Sequence, residues 1–352
     1  MSSGVRLFKF IRWQDWGTRT VSLIWTLGLY LAVAYDLAGY RFIQTFLVFL
    51  AFTLSQASFA YLINDWGDRD VDRKKFKHNA FAGLSQVESA LIITLASLLA
   101  FACGAPFLPR TGFAELWLVW VVSVIAFSLE PLRLKTHGPV APLIVVVAQW
   151  FLPVLLIFAA FQVVGGMDMW ALAVAFCIHG LAIELERQCN RQSRDKNTGQ
   201  DTFASKVSQD ELETLYRWAL TADKLAISAI TLIVAWTLYS RAFAILLVGV
   251  LVSLYVVLLL VLPRASLPAV ADGTDDHYIV QATSPSVPVH RYILHLVLPT
   301  SLAFALLPRS QEYFLILLLA ALIYVSWTGF QAGGLFTFPF WARDAIRRRN
   351  RK

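Results

Sequence analysis

Residues 42–75 read FIQTFLVFLAFTLSQASFAYLINDWGDRDVDRKK: a long run without a single charge, ending abruptly in Asn64, Asp65, Asp68, Asp70 and Asp72 interleaved with Arg69, Arg73, Lys74 and Lys75. At ~1.5 Å of rise per residue, an uncharged run of this length crosses the ~30 Å hydrocarbon core of a bilayer. It predicts a membrane-spanning helix over about 42–62, with the charged stretch at the membrane face. If the helix continues, Asn64, Asp68 and Asp72 recur every four residues, and Asp65 lies three before Asp68. Their oxygens then share one helical face. Carboxylates so close together repel one another and are unfavourable near a membrane. A hard divalent cation removes that penalty. Mg²⁺ takes oxygen ligands, uses few carboxylates and completes its shell with substrate phosphate. Lys74, Lys75 and Lys77 then serve as point charges for the remaining phosphate oxygens. The simpler alternative is a solvated juxtamembrane loop with weak local ion pairs.

The rest of the chain supports the membrane reading. Of 352 residues, 58% are hydrophobic and only 15% charged, too few charges to cover a soluble surface of this size. Twelve Trp fit the aromatic enrichment of membrane interfaces. Further apolar runs predict helices at about 17–36, 87–107, 113–129, 139–161, 168–188, 213–239, 242–262, 291–308 and 312–330. The 291–308 and 312–330 pair, with Pro299 and Pro308, also fits one kinked or re-entrant unit. The fold class is therefore all-α: a multispanning bundle of nine to ten helices, forming one integral-membrane domain over 1–352. Residues 263–290 read as a cytoplasmic loop and 340–352 as a basic tail that holds anionic lipid. With the N-terminus inside, nearly all loop Lys and Arg residues fall on the cytoplasmic side, and Arg41, Arg110, Arg241 and Arg309 remain outside. That bias places both termini in the cytoplasm and the chain in an inner, cytoplasmic-type membrane. The first apolar segment is too long for a cleaved signal peptide. The net charge of +7 reflects this topology rather than nucleic-acid binding, and the three scattered cysteines offer neither a disulfide framework nor zinc spacing.

Two more loops open to the same face. Ser128-Leu129-Glu130-Pro131-Leu132-Arg133-Leu134-Lys135-Thr136-His137-Gly138 is a tight basic connection, for which a topogenic turn is the plain explanation. After the 168–188 run, Glu184, Gln188, Arg191 and Asp195 are spaced four, three and four apart, again one helical face. Glu184 near the bilayer boundary is a functional candidate; a helix end with snorkelling Glu186 and Arg187 is the alternative.

These three stretches together resemble the UbiA superfamily of membrane prenyltransferases. Asn64-Asp65-x-x-Asp68-x-x-x-Asp72 is similar to its first Asp-rich motif, Ser128-x-x-Pro131-x-Arg133-x-Lys135-x-x-Gly138 to its Tyr-Ser-x-Pro-Pro-x-Arg-x-Lys-x-x-Gly loop, and Asp195-Lys196-x-x-Gly199-x-x-Thr202 to the end of its second Asp-rich motif. The resemblance covers about residues 20–240. It implies helices around a central apolar cavity capped by cytoplasmic loops. It also implies Mg²⁺ held by two Asp-rich motifs, and an isoprenoid diphosphate whose C–O bond ionises before an acceptor attacks. On that basis Asn64, Asp65, Asp68 and Asp72 hold one metal, and Asp68, Asp72 and Asp195 are catalytic. Lys74, Lys77, Arg133, Lys135, Arg191 and Arg194 face the diphosphate. This chain departs from the pattern in four places. Arg191 stands where the second motif has an aspartate, and an Arg cannot ligate a metal. Either Glu184 or Gln188 supplies the missing oxygen, or one metal alone is firmly held and Arg191 meets the diphosphate directly. Lys77-His78-Asn79 replaces an Arg-Pro, Phe127 replaces a Tyr, and the helix count exceeds the family's nine.

The implied reaction is Mg²⁺-dependent transfer of a prenyl group to an aromatic, lipid or phosphosugar acceptor. Alternatives are a terpene cyclase on the same scaffold and a non-catalytic carrier of isoprenoid diphosphate. Membrane lipid and the two substrates are the partners, with no nucleic acid. Among other polar residues in apolar runs, His179 reads as a hydrogen-bonded interior group and Asp223 as the neutraliser of Lys224. Gln56 and Gln149 either line the cavity or bond between helices.

Overall fold

The computed structural model describes residues 13–37, 39–74, 79–197, 199, 201–238 and 293–306. The spans expected at 242–262 and 312–330, the loop at 263–290 and the basic tail at 340–352 lie outside the described residues. Among the described residues there are helices and turns and no strand. They are α1 (Trp13–Ala34), α2 (Tyr40–Lys74), α3 (Gln86–Gly104), α4 (Phe113–Ser128), α5 (Val140–Val146), α6 (Leu152–Ala160), α7 (Met167–Asn197), α8 (Phe203–Lys206), α9 (Gln209–Thr237) and α10 (Leu298–Leu306). The chain packs as two units, one of Met1–Ile24 with Gln44–Ala229, the other of Trp25–Ile43 with Ile230–Lys352.

The first unit carries all three charged stretches. α2 has 35 residues and α7 has 31, so they are roughly 52 and 46 Å long, well beyond a ~30 Å hydrocarbon core. The expected spans 42–62 and 168–188 are thus the apolar parts of longer helices. The continuation of α2 through Asn64–Asp72, a condition in the sequence, is realised. α3 starts at a capping box: Ser85 Oγ accepts from the Glu88 amide, and the Glu88 carboxylate accepts from the Ser85 amide.

The span expected at 139–161 is not one regular helix. α5 and α6 are joined by a π-helical turn, Val147–Phe151. Pro153 has no N–H to give the carbonyl four residues back, and a π turn absorbs that break. Pro299 has the same relation to the π turn Ile293–Val297, which takes the first half of the span expected at 291–308. In the second unit Leu294, Leu298 and Leu302 of that segment are buried, as are Leu27 and Leu31 of α1, and Thr26 Oγ1 donates to the Leu294 carbonyl at 3.3 Å.

Five helices among the described residues are long and apolar enough to cross a membrane: Tyr40–Arg73, Gln86–Phe107, Val140–Ala160, Met167–Ser193 and Gln209–Thr237. Thr20–Ala34 and Phe113–Ser128 are shorter apolar helices. The exposed faces carry apolar stripes at helical spacing. On α3 these are Val87, Leu91, Leu95 and Leu98; on α9, Trp218, Leu225, Leu232 and Trp236. Contiguous exposed patches of this kind face lipid, not water.

Candidate active site

The α2 end is positioned by one close approach. A Cβ on Gly67 would overlap the Ser128 backbone carbonyl, so glycine there lets α2 lie against the end of α4. The chain leaves α4 through Leu129 and reverses at Arg133, whose φ of 37° and ψ of 54° lie in the left-handed region. Strain of that kind in a non-glycine residue is concentrated at functional sites. The turn throws Arg133 and Lys135 back at α2. Arg133 Nη2 donates to Asp68 Oδ1 at 2.9 Å, and Lys135 Nζ lies 2.7 Å from the same oxygen and 3.2 Å from Asn64 Oδ1. Arg133 also bonds Glu130 at 3.2 Å. Its Nε is buried with no hydrogen-bond partner among the described residues. Burial holds Lys135 below the ordinary lysine range, against the pull of Asp68. For Arg133, burial works downward too, but its bonds to Glu130 and Asp68 outweigh it and leave it raised.

The other two acids of the first motif turn toward the segment that follows it. Asp65 is buried and accepts from the Ala80 amide at 3.0 Å; Asn79 Nδ2 donates to the Asp65 carbonyl at 2.7 Å and to Asp72 Oδ2 at 2.9 Å. Arg69 donates to the Leu84 carbonyl, and Trp66 meets Phe81 edge to face. This fold-back, with Leu62, Ala80 and Phe81 buried together, fixes the mouth of α2. Asp70 is exposed and pairs weakly with Arg73 at 3.8 Å, the local ion pair of a solvated loop.

The second motif closes on itself and then reaches the basic loop. Buried Asp195 accepts from Thr202 Oγ1 at 3.0 Å. Gln192 Nε2 donates to the Ala204 and Val207 carbonyls at 3.1 and 2.9 Å, tying the loop after α7 back onto it. Lys206, at the end of α8, lies 2.8 Å from Asp201 and donates to the Thr136 carbonyl at 2.7 Å. Glu184 accepts from its own-helix neighbours Arg187 and Gln188, both at 2.6 Å.

Of the residues singled out in the sequence, Asn64, Asp68, Arg133 and Lys135 meet in one ion-pair knot. Asp65 and Asp72 belong to the adjoining fold-back. Asp195 holds Thr202, which caps α8, and Lys206 at the end of α8 bonds the knot's loop at Thr136, while Glu184 is engaged on α7. Arg191 lies on α7, half-buried. Lys77, and the side chains of Lys74 and Arg194, lie outside the described residues. Sequence spacing gave no sign of the roles of Asn79, Gln192 or Lys206, whose bonds to Asp65, Asp72, Ala204, Val207 and Thr136 span seven to seventy positions. His179 is an interior hydrogen-bonded group, as expected, but its partner is Asp223 at 2.8 Å; Asp223 bonds across helices, and Lys224 is exposed.

Among the described residues no three His, Cys, Asp or Glu side chains converge as a metal-holding group. The donor set therefore does not build an all-protein cage. It does fit Mg²⁺ arriving with phosphate, which needs only one or two protein oxygens. The Lys135 ammonium, a cation resting on Asn64 Oδ1 and Asp68 Oδ1, shows that these two oxygens already hold positive charge between them.

Fold and site together define an α-helical membrane protein with an acid–base knot at the end of an apolar bundle. The model of the UbiA prenyltransferase family matches residues 22–272, and the chain belongs to that family. Among solved structures it is similar to a UbiA homolog from Archaeoglobus fulgidus bound to DMAPP and Mg²⁺, at 15% identity and a TM-score of 0.52, over 86% of this chain and 99% of that one. It also matches a structure of digeranylgeranylglyceryl phosphate synthase in membranes, at 11% identity and a TM-score of 0.49, over 84% of this chain and 97% of the other. No curated protein matches the chain.

Proposed function

We propose that this protein is a Mg²⁺-dependent transferase that moves a prenyl group from an isoprenoid diphosphate to an acceptor and releases diphosphate. The observation that carries it is the convergence of Asn64 and Asp68 with Arg133 and Lys135 at one end of an apolar bundle. The Archaeoglobus fulgidus homolog with DMAPP and Mg²⁺, of the same fold, supports it. Asn64 and Asp68 would hold the ion, with Asp65 and Asp72 beside them and Asp195 and Glu184 on the second stretch. When bound, Mg²⁺ supplies positive charge to the leaving diphosphate.

The chain's own side chains do the rest. Arg133 offers the diphosphate its partnerless Nε and a fork suited to phosphate oxygens. Lys135 adds a point charge, and Lys74, Lys77, Arg191 and Arg194 are proposed as further diphosphate-binding cations. Asp68 holds both Arg133 and Lys135, and Glu130 shares the charge of Arg133. With diphosphate bound, Arg133 and Lys135 would turn from Asp68 to phosphate oxygens, which would leave the Asp68 carboxylate to hold the ion. Donors fixed before the reaction stabilise the charge that develops as the allylic C–O bond breaks and its electron pair leaves with the diphosphate. The acceptor's nucleophilic atom bonds the freed carbon and gives up a proton, while apolar walls keep water out. The acceptor is an aromatic ring, a lipid or a phosphosugar. One domain over 1–352 sits in an inner, cytoplasmic-type membrane with this face and both termini in the cytoplasm, as the basic residues favour.

The test is incubation of purified protein with labelled isoprenoid diphosphates, Mg²⁺ and acceptor mixtures. Release of diphosphate with a prenylated product is the expected result. No release in any mixture would count against transfer, and release with a hydrocarbon and no acceptor would assign a cyclase instead.

A further inference from the structure

Gln56 lies on α2 eight residues before Asn64, roughly 12 Å deeper along the helix axis. It is 4% exposed, and its Nε2 has no hydrogen-bond partner among the described residues. A buried amide left unbonded in an apolar surrounding is unfavourable by kilocalories and calls for a partner. It borders a small pocket of about 50 Å³, room for a polar group of a few atoms. Gln149 faces the same pocket, carried there by the π-helical turn Val147–Phe151, a distortion that recurs at functional sites. The aromatic walls are Phe49, Phe52 and Trp120, and Trp120 is held in place by its indole N–H donating to the Ala148 carbonyl at 2.9 Å. Thr53 Oγ1 already donates to the Phe49 carbonyl and so offers only lone pairs. None of the eleven lining residues is ionisable.

We infer that this pocket is a binding site for an uncharged, oxygen-bearing group on an apolar molecule, with Gln56 and Gln149 as its hydrogen-bonding partners. The absence of charge among the lining residues selects against phosphate or carboxylate, and the aromatic walls select a carbonyl or hydroxyl on a ring or chain. The site stands on its own lining and not on the prenyl-transfer reading; on that reading its occupant is the acceptor, and Gln56 a specificity-determining residue.

The full chain, purified in detergent, is titrated with two probes of nearly equal shape, 1-phenyl-1-decanone and decylbenzene. The ketone is expected to bind about tenfold tighter, the worth of one hydrogen bond to a group otherwise unsatisfied. In Gln56→Leu the preference is expected to fall to within about threefold. The same variant is expected to raise the ligand-free Tm, because it removes the unsatisfied amide. Gln149→Leu, at a more exposed position, reduces the preference without a fall in Tm and decides the matter should Gln56→Leu not fold. Equal affinity for the two probes, or a preference that survives in every variant that folds, would overturn the assignment. Asp68→Asn is expected to keep the ketone preference, so failure here is distinct from failure of the diphosphate site.

Discussion

Gly67→Ala offers the sharpest perturbation of the site, because it adds one methyl group and removes no functional atom. The added Cβ would meet the Ser128 carbonyl oxygen, with the Ser128 carbonyl carbon and the Leu129 side chain close behind. The nearest neighbour is backbone, which cannot swing aside as a side chain can. The end of α2 and the end of α4 must therefore part by roughly an ångström, an overpacking strain of ~1–3 kcal/mol. The same displacement carries Arg133 and Lys135 away from Asp68. Their contacts of 2.9 and 2.7 Å would stretch toward the limit at which hydrogen bonds fail. A misplacement of that size at reacting groups lowers rate by about 10²-fold. Diphosphate release, measured well below the variant's Tm, reads the catalytic loss, and thermal unfolding reads the strain. A variant that unfolds only a few degrees earlier yet releases diphosphate about a hundredfold more slowly is the expected outcome. Wild-type kcat/KM in a folded Gly67→Ala protein would refute the claim that this contact positions the basic loop.

Other substitutions separate the knot from its surroundings. Lys135→Met leaves Asp68 paired with Arg133, so Tm is expected to move little while diphosphate affinity falls about 10–100-fold, the range for a charge-assisted bond, as read by calorimetric titration. Asp223→Asn weakens the buried bond to His179 and is expected to reduce stability by ~2–3 kcal/mol in denaturant unfolding while leaving diphosphate affinity at its wild-type value. Trp120→Phe loses the indole bond to Ala148 beside the π turn and is expected to cost about 1 kcal/mol in the same unfolding assay.

Much of this architecture was legible in the sequence, for identifiable reasons. Uncharged runs long enough to span a bilayer announce themselves, and the observed α3, α4 and α9 fall close to the expected runs. The spacing of Asn64, Asp68 and Asp72 foretold one helical face, because period is a local property of the chain. Arg133 and Lys135 were legible as a motif, though the left-handed turn that aims them was not. What the sequence concealed are pairings between distant positions. Asp65 and Asp72 bond to Asn79 and Ala80 because the chain doubles back after α2. Lys206 reaches Thr136 across seventy positions, and Asp223 meets His179 across forty-four. The π turn at Val147–Phe151 was hidden as well: Pro153 signals a break without saying whether the helix kinks or widens. Gln56 and Gln149 carried two equal readings in the sequence, and the structure places both in the lining of one pocket.

The central claim is that Asn64, Asp68, Arg133 and Lys135 act together on a magnesium–diphosphate unit. Calorimetric titration of the full chain with a non-hydrolysable isoprenoid thiodiphosphate, with and without Mg²⁺, tests it most directly in wild type and Asp68→Asn. Tight binding that requires Mg²⁺, and that weakens by at least about a hundredfold in Asp68→Asn, is the expected result. Equal affinity without the ion, or an Asp68→Asn protein that binds as tightly as wild type, would contradict it.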